Sequence, residues 1–295
     1  MPHVVLLSTD NLEEFFVYDE LLIPYFEQHD WQVSTLSWHD NTIDWNQFDY
    51  VVVRSTWDYQ QQADAFMACL ERIDNSSATL LNPLSLIKWN IKKHYLRDLE
   101  KHNVTIVPTR WFSHFDEDEF LACFNEFNTD TLVVKPVLSA NADDTFKLTV
   151  GHANEKMELL KGCFYKREFM VQPFMKNVID EGEYSLFYFG GAYSHGILKV
   201  PKKGDFRVQE EHGGRLFSID SDNDGFSQMC NVSEKALKAM PAQPLYARVD
   251  LVRLGDDWAV MELELIEPSL YFNLDNQSPE RFVNAMLSYH QQTHN

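Results

Sequence analysis

Cysteine is scarce and dispersed: Cys69, Cys123, Cys163 and Cys230 are spread through 295 residues, and no two form a CxxC pair. That spacing disfavours a zinc ribbon or a disulfide framework and leaves buried free thiols as the expectation. Basic residues are also in short supply, with 25 Lys and Arg against 45 Asp and Glu and a formal net charge of -20. So acidic a surface repels phosphate, which argues against nucleic acid or a membrane surface as a partner; an anionic substrate must meet a locally basic pocket. No apolar run approaches membrane-spanning length, and MPHVVLLSTDNLEE carries no basic leader or cleavage signal, so a cytoplasmic protein is expected. The 11 glycines form neither a Gly-x-Gly-x-x-Gly fingerprint nor a P-loop. Extended Pro, Gly or Ser tracts and internal repeats are missing too, while 44% of residues are hydrophobic. A globular chain of two or three packed subdomains follows.

The N-terminal segment alternates apolar strands with helical patterns: residues 4–7, a helix around 19–29, then 32–36 and 50–53. The unbroken run Tyr50, Val51, Val52, Val53 suits a parallel strand covered on both faces, and Phe66, Cys69, Leu70 and Ile73 mark the helix after it. A doubly wound α/β domain is expected over residues 1–85. Open α/β sheets bind ligands beyond the carboxyl ends of their strands, where Arg54, Ser55, Trp57 and Asp58 fall. These are substrate-side candidates; the competing reading is an ordinary turn in which Trp57 only packs.

Asn82-Pro83 then reads as the cap and first turn of a helix with Leu84, Ile87, Ile91, Tyr95 and Leu99 at helical spacing and Lys88, Lys92 and Lys93 on its surface. Residues 104–108, a helix around 116–127 and a strand at 132–136 follow. A lysine closing an apolar strand, as Lys135 does, meets solvent more often than not. The remainder reads as mostly antiparallel sheet, with a connector at Gln172, Pro173 and Phe174 and a tight Gly190-Gly191 hairpin. The stretch 204–214 combines chain flexibility with positive charge at Arg207, beside Gln209 and His212.

The strongest chemical pattern lies in YARVDLVRLGDDWAVMELELIEPS, where two β-runs, 247–254 and 258–265, flank Gly255, Asp256 and Asp257. If Leu254 pairs with Trp258, Asp250 faces Glu262 and Arg248 faces Glu264. Alternation then puts these four charges on one face and Val249, Leu251, Met261, Leu263 and Leu265 on the other. Opposed like charges destabilise a sheet, and one arginine does not balance three acids, so a divalent cation is expected on Asp250, Glu262 and Glu264. Oxygen ligands with no nearby His or Cys favour Mg²⁺ or Mn²⁺ over zinc. The competing reading is a solvated strand face with Arg248 as salt-bridge partner, since a one-residue slip would scatter the set.

Lys93, Lys135, Gln172, Glu183, Lys199, Arg207 and the three acids follow the order seen in ATP-grasp carboxylate ligases, and the chain resembles that superfamily over most of its length. RSTWDY, WNIKKHYL, VVKP, VQPF, EGEYSLFYFGG, SHGILKVPKKGDFRVQEEHGG and ELELIEPS look like the branch that contains the cyclo-ligase of cycloserine biosynthesis. They echo bacterial glutathione synthetase more loosely. The resemblance implies an ATP-grasp fold mixing α/β and α+β parts: the doubly wound pre-grasp domain at 1–85, then an ATP-grasp domain at 86–295. The latter would comprise a small lid subdomain at about 104–175 and an antiparallel C-terminal subdomain, with ATP between them.

Roles also follow from the resemblance. Lys93, with Lys92 as rival, would contact phosphates; Lys135 would reach the α-phosphate and adenine region. The backbone of Gln172, Pro173 and Phe174 would hold the adenine edge, and Glu183 the ribose. Lys199 and Arg207 would lie near the transferring phosphate, Arg248 or Arg207 would fix a substrate carboxylate, and Gln209, Glu267 and Ser269 would face substrate. One departure is the segment 138–145, LSANADDT, where many relatives have a glycine-rich loop. The implied chemistry is Mg-ATP-dependent activation of a small amino-acid-like carboxylate as an acylphosphate, captured by a nitrogen nucleophile under a lid that keeps water out. His195 and His212 read as hydrogen-bonding partners rather than nucleophiles. Readings of other classes are a catalytically silent ATP-binding module and a metal-dependent phosphotransferase without ligation. A homodimer is the commonest assembly for such a chain.

Overall fold

A computed structural model describes residues 1–13, 15–139 and 143–294. Its first segment forms β1 (His3–Ser8), α1 (Ile23–Glu27), β2 (Gln32–Ser37), β3 (Tyr50–Ser55), α2 (Ala63–Asp74) and β4 (Thr79–Leu81). These strands make a sheet in the order β2-β1-β3-β4 with every pairing parallel. β3 is buried at all six positions. Val51 and Val53 cluster with Phe66 and Leu70 of α2, whereas Tyr50 and Val52 cluster with Phe26 and, from the far end of the chain, Phe282 and Met286. That second cluster also takes in Phe187, Phe189 and Tyr246, so the expected boundary near residue 85 separates no hydrophobic cores.

The single helix expected from Asn82 is two, α3 (Leu84–Asn90) and α4 (Tyr95–Lys101). Pro83 takes the N-cap position and no side chain caps the helix. Fully buried Asn82 instead accepts from the Leu245 N–H at 2.6 Å and donates to the carbonyls of Tyr246 and Leu265 at 2.9 and 2.8 Å. Asn90 does the same one helix further on, donating to Leu263 O at 2.8 Å and accepting from the Leu265 N–H at 3.1 Å. Asn90 is the last residue of α3, and these bonds tie the chain there to residues 263 and 265 far along the sequence. Between the two helices the Lys93 N–H donates to Val137 O at 2.9 Å.

A second sheet follows, from β5 (Arg110–Phe112), α5 (Glu117–Glu126), β6 (Thr131–Pro136), β7 (Phe146–Thr149), α6 (Met157–Phe164) and β8 (Phe169–Pro173). Its order is β5-β8-β6-β7, antiparallel throughout, over a cluster that includes Phe112, Phe120, Phe164 and Phe169. Asp116 caps α5 as its position suggests, accepting from the Glu119 N–H at 2.9 Å. Residues 105–107, at the start of the expected lid, bond instead to Val260 in the next sheet.

The last segment contains α7 (Asn177–Asp180), β9 (Glu183–Phe189), β10 (Ala192–Val200), β11 (Arg215–Ile219), α8 (Phe226–Lys238), β12 (Tyr246–Leu254), β13 (Asp257–Glu264) and α9 (Ser278–His294). The sheet order is β11-β10-β9-β12-β13, all antiparallel. Gly190 and Gly191 turn the β9–β10 hairpin at φ 58° and 85°, a pair of positive values that glycine adopts without strain. α9 returns to the first sheet, where the Tyr50 hydroxyl and His290 Nδ1 lie 2.6 Å apart. No helix among the described residues is long and apolar enough to cross a membrane.

Candidate active site

Asp250 pairs with Glu262 and Arg248 with Glu264, as the alternation predicts, but by another route. Leu254 pairs with Asp257 and Arg253 with Trp258, one residue out of the expected register, and a bulge next to Asp250 restores the offset. The residue spent on the bulge is Met261. It leaves the core face assigned to it and joins Val252 and Ala259 beside a cavity that lies between the second and third sheets.

Lys93, Lys135, Lys199, Arg207, Arg248, Glu183, Asp250, Glu262 and Glu264 all line this cavity. Lys135 does not meet solvent. It is 8% exposed, and its Nζ donates to Glu262 Oε1 at 2.9 Å, since β6 directs it at β13 across the gap. The break after α3 delivers Lys93 to the same carboxylate, 3.4 Å away, and to Ser139 O at 3.2 Å. Lys92 turns outward to Glu168 with half its side chain exposed. Lys199 is buried between Glu183 at 2.6 Å and Asp250 at 3.2 Å, the first being its cross-strand neighbour. Arg248 holds Asp250 through both Nε and Nη2 and also bonds Glu264.

The sequence argument that one arginine must face three acids is therefore corrected. Four cations, Lys93, Lys135, Lys199 and Arg248, meet four acids, Glu183, Asp250, Glu262 and Glu264. Burial pushes the Asp250 carboxyl up, but Arg248 and Lys199 outweigh it and hold the group below its ordinary value. Lys135 and Lys93 likewise overcome burial at Glu262 and hold it well down. Glu264 is different: burial, with Asp250 and Glu262 close by, pushes it up to about 7 despite Arg248. Lys199 stays protonated, because Asp250 and Glu183 more than offset its burial.

Both Asp250 oxygens are already engaged, by Ser185, Lys199 and Arg248. Glu262 and Glu264 each bond through Oε1 alone, which leaves an outward oxygen on each among the described residues. No three His, Cys, Asp or Glu side chains among the described residues converge as a finished cation cage. The donor chemistry is hard oxygen, which suits Mg²⁺; Glu262 and Glu264 fit that role as they stand, and Asp250 fits it only if Arg248 and Lys199 release it.

An apolar slot adjoins the charged centre, lined by Val133, Phe174, Met175, Val178, Phe206 and Val208. Gln172 and Pro173 border it, with the Gln172 amide donating to Thr109 Oγ1 at 2.9 Å. The Phe174 N–H already donates to Thr131 O at 2.9 Å, so a hinge contact to a base edge has to use another backbone group. Lys147 covers the Phe174 ring at 3.6 Å. Arg207 lies on the rim, forked onto Asp205. Of the segment 138–145, residues 140–142 lie outside the described residues; Ser139 and Thr145 line the cavity.

The substrate-side candidates divide. Trp57, Gln209, Glu267 and Ser269 line the cavity, whereas Arg54, Ser55 and Asp58 do not. Arg54 and Ser55 are still in β3 and buried, bonding Asp19 and, from Arg54, Pro268 O at 3.0 Å. Asp58 collects Thr9, Trp38 Nε1 and His39. These three residues position the loop rather than face a ligand. His195 also stays outside: it stacks on Phe187 at 4.2 Å and bonds Leu270 O, and burial lowers its pKa to about 4, so the ring is neutral. Sequence reading missed Ser185, whose signal was its place two residues after Glu183 on the same strand face. It also missed Phe15, Tyr59 and Tyr271, which reach the cavity from loops and a short 3₁₀ turn that no periodicity marks.

Comparison with known proteins follows the same lines. A family profile described as the N-terminal domain of D-cycloserine synthetase DcsG matches residues 4–82. The cycloserine biosynthesis protein DcsG of Streptomyces lavendulae is 28% identical over 259 residues, covering 84% of this chain and 86% of that one. A crystal structure of D-cycloserine synthetase DcsG superposes with a TM-score of 0.83 at 27% identity, covering 97% of this chain and 99% of the other. The RimK-domain ATP-grasp protein of Sphaerobacter thermophilus DSM 20745 gives a TM-score of 0.70 at 12% identity, over 97% and 99% of the two chains. D-alanine–D-alanine ligase of Bacillus anthracis gives 0.69 at 11% identity, over 99% and 97%. At such low identity the last two speak for fold alone. The chain has the ATP-grasp fold, and its sequence resembles the cyclo-ligase branch of that group.

Proposed function

We propose that this chain is an ADP-forming, ATP-dependent ligase that activates the carboxylate of a small amino-acid-like molecule and joins it to a nitrogen nucleophile, giving an amide, a peptide or a ring. One observation carries the reading: Lys93, Lys135, Lys199 and Arg248 converge with Glu262 and Glu264 in a single cavity beside an apolar slot. The likeness to cycloserine synthetase over nearly the whole chain supports it. A silent nucleotide module is not favoured, because the basic and acidic positions are all filled, and the likeness to a synthetase along most of the chain speaks against a plain phosphotransferase. The cytoplasm, where ATP is abundant, is the location that goes with this reading.

The apolar slot receives the base, and Lys93, Lys135 and Lys199 take the negative charge of the phosphates along its length. Mg²⁺ held by Glu262 and Glu264, with Asp250 joining if its partners let go, would supply further charge neutralisation at the β- and γ-phosphates; Mn²⁺ has the same ligand preferences. Arg248 or Arg207 would hold a substrate carboxylate in line with the γ-phosphorus by a forked contact, on exchanging for it the acids each now holds, Asp250 and Glu264 or Asp205. Attack by that carboxylate forms the acylphosphate and expels ADP; attack by the nitrogen on the acyl carbon then expels phosphate. The second sheet, closing over the gap, keeps water from the acylphosphate.

Hydroxylamine intercepts acylphosphates, so incubation with Mg-ATP and a panel of small amino acids is expected to yield acyl-hydroxamate together with ADP. Glu264→Gln, which keeps the shape and removes the charge, is expected to lower ADP release at least about 100-fold while the fold survives. ADP without hydroxamate for every acid tested would leave a phosphotransferase as the reading, and unchanged turnover in the variant would remove Glu264 from the site.

A further inference from the structure

Of the non-glycine residues with positive φ among the described residues, four are exposed Asp or Asn: Asp30, Asn103, Asn128 and Asp144. Short polar side chains tolerate the left-handed region. The other is Tyr271, at φ 47° and ψ 45°, only 6% exposed and lining the cavity. A bulky residue keeps that conformation only where its surroundings over-determine it, and such positions gather at functional sites.

The surroundings do over-determine it. Four consecutive carbonyls before Tyr271 are each gripped by a different side chain. Glu267 O accepts from Trp57 Nε1 at 2.8 Å, Pro268 O from Arg54 Nη2 at 3.0 Å, Ser269 O from Arg248 Nη1 at 3.3 Å and Leu270 O from His195 Nε2 at 2.9 Å. These donors come from β3 and the loop after it, from β12 and from β10, so two sheets hold one short segment. Arg54, Arg248 and His195 are buried, which makes them costly unless the bonds are kept. Tyr271 O in turn accepts from the Leu274 N–H at 2.9 Å, and the ring stands edge-on to Phe187 at 6.2 Å.

All this fixation leaves the hydroxyl unspent. Among the described residues none hydrogen-bonds it, and it is not sealed from the cavity. Lys199 and Arg248 are the cations that act on it, and each feels it in return. Burial nevertheless pushes the hydroxyl up to about 12, so it keeps its proton and is a donor at neutral pH. In the mechanism above Lys199 serves the phosphates and Arg248 a substrate carboxylate. A donor under the influence of both faces the place where those two anions are joined.

We propose that Tyr271 is a catalytic residue of acyl transfer, its hydroxyl donating to the acyl oxygen of the acylphosphate as the nitrogen adds. The inference rests on the ligase reading and deepens it. The nitrogen lone pair forms the C–N bond, the carbonyl π pair moves onto oxygen, and Tyr271 binds that oxyanion without giving up its proton. Collapse returns the pair, breaks the C–O bond to phosphate, and the proton lost by nitrogen leaves on the phosphate. Arg54 and His195 are positioning residues in this scheme, acting through the carbonyls of Pro268 and Leu270.

The test is a single turnover of the full chain, enzyme in excess over Mg-ATP, with hydroxylamine as the nitrogen nucleophile and the acid that gives most hydroxamate in the panel above. Tyr271→Phe is expected to form ADP within about twofold of the wild-type rate and hydroxamate about 100-fold more slowly, the scale of one lost oxyanion donor. Its midpoint in urea is expected to match the wild type, because the hydroxyl has no partner in the protein to lose. His195→Phe keeps a ring beside Phe187 and frees Leu270 O. It gives a second measurement should the first variant not fold, and is expected to slow hydroxamate about tenfold or more while sparing ADP. Unchanged hydroxamate formation in Tyr271→Phe overturns the inference. So does an equal loss of ADP and hydroxamate, which would assign Tyr271 to phosphoryl transfer or to the fold. A wild type that forms neither product with any acid ends the ligase reading, and this inference with it.

Discussion

Lys92 and Lys93 are neighbours in the chain and face opposite ways. Lys92 forms an exposed pair with Glu168, the kind that contributes little, while Lys93 is directed at Glu262 by the break after α3. Lys93→Met is accordingly expected to cut kcat/KM for ATP about 100-fold and Lys92→Met to change it less than about twofold, read from steady-state ADP formation. Equal losses in the two variants would mean that the charge of the segment, and not the placement of one group, is what matters. The facing of Asp250 with Glu262 and of Arg248 with Glu264 was legible because a strand alternates strictly. The state of Asp250 was not. Its partners Lys199 and Ser185 come from β10 and β9, and nothing in a linear reading says which distant strands lie alongside β12. Arg54, Ser55 and Asp58 misled for a related reason: polar residues after a strand look available, and here Asp19, Thr9, Trp38 and His39 had already claimed them.

Among elements, β13 shows how a strand at the end of a sheet is kept from fraying. Its outer side is occupied in two places: Val260 exchanges hydrogen bonds with residues 105 and 107, and further along Asn90, Tyr95 and Asn82 bond the backbone of Leu263 and Leu265. Side chains thus complete a ladder that no further strand continues. Asn82 makes the broadest set of these contacts, and Asn82→Ala would leave buried backbone groups of Leu245, Tyr246 and Leu265 without partners. A loss of about 3 kcal/mol or more is expected in urea denaturation, since each orphaned group costs about 1–3 kcal/mol; a loss below about 1 kcal/mol would mean that water replaces the amide. Strands and hairpins were readable from alternation and paired glycines. The division of α3 from α4 was not, because Leu84, Ile87, Ile91, Tyr95 and Leu99 keep helical spacing straight across it, and all but the half-buried Ile91 are buried. The interruption is imposed by tertiary contacts at Asn90 and Lys93, and hydrophobic spacing carries no trace of them.

At the scale of the whole molecule, the parallel N-terminal sheet and the mostly antiparallel remainder were legible, whereas the split of that remainder into two sheets, and the sharing of one core by the first sheet, the third sheet and α9, were not. A helix from one end of a sequence that closes a sheet from the other end leaves only amphipathic spacing as a clue, and such spacing names no partner. The electrostatic balance inside the cavity likewise belongs to the assembled molecule. Nucleotide affinity measured by calorimetry is expected to fall at least about tenfold when EDTA replaces Mg²⁺, like charges brought together at a binding site costing several kcal/mol. Equal affinity in both conditions would mean that the lysines alone suffice. Since the resident ions already neutralise one another, a bare polyphosphate would enter as surplus anion in a protein whose formal charge is -20. Admission then favours a visitor that brings its own neutraliser, as a polyphosphate carrying Mg²⁺ does.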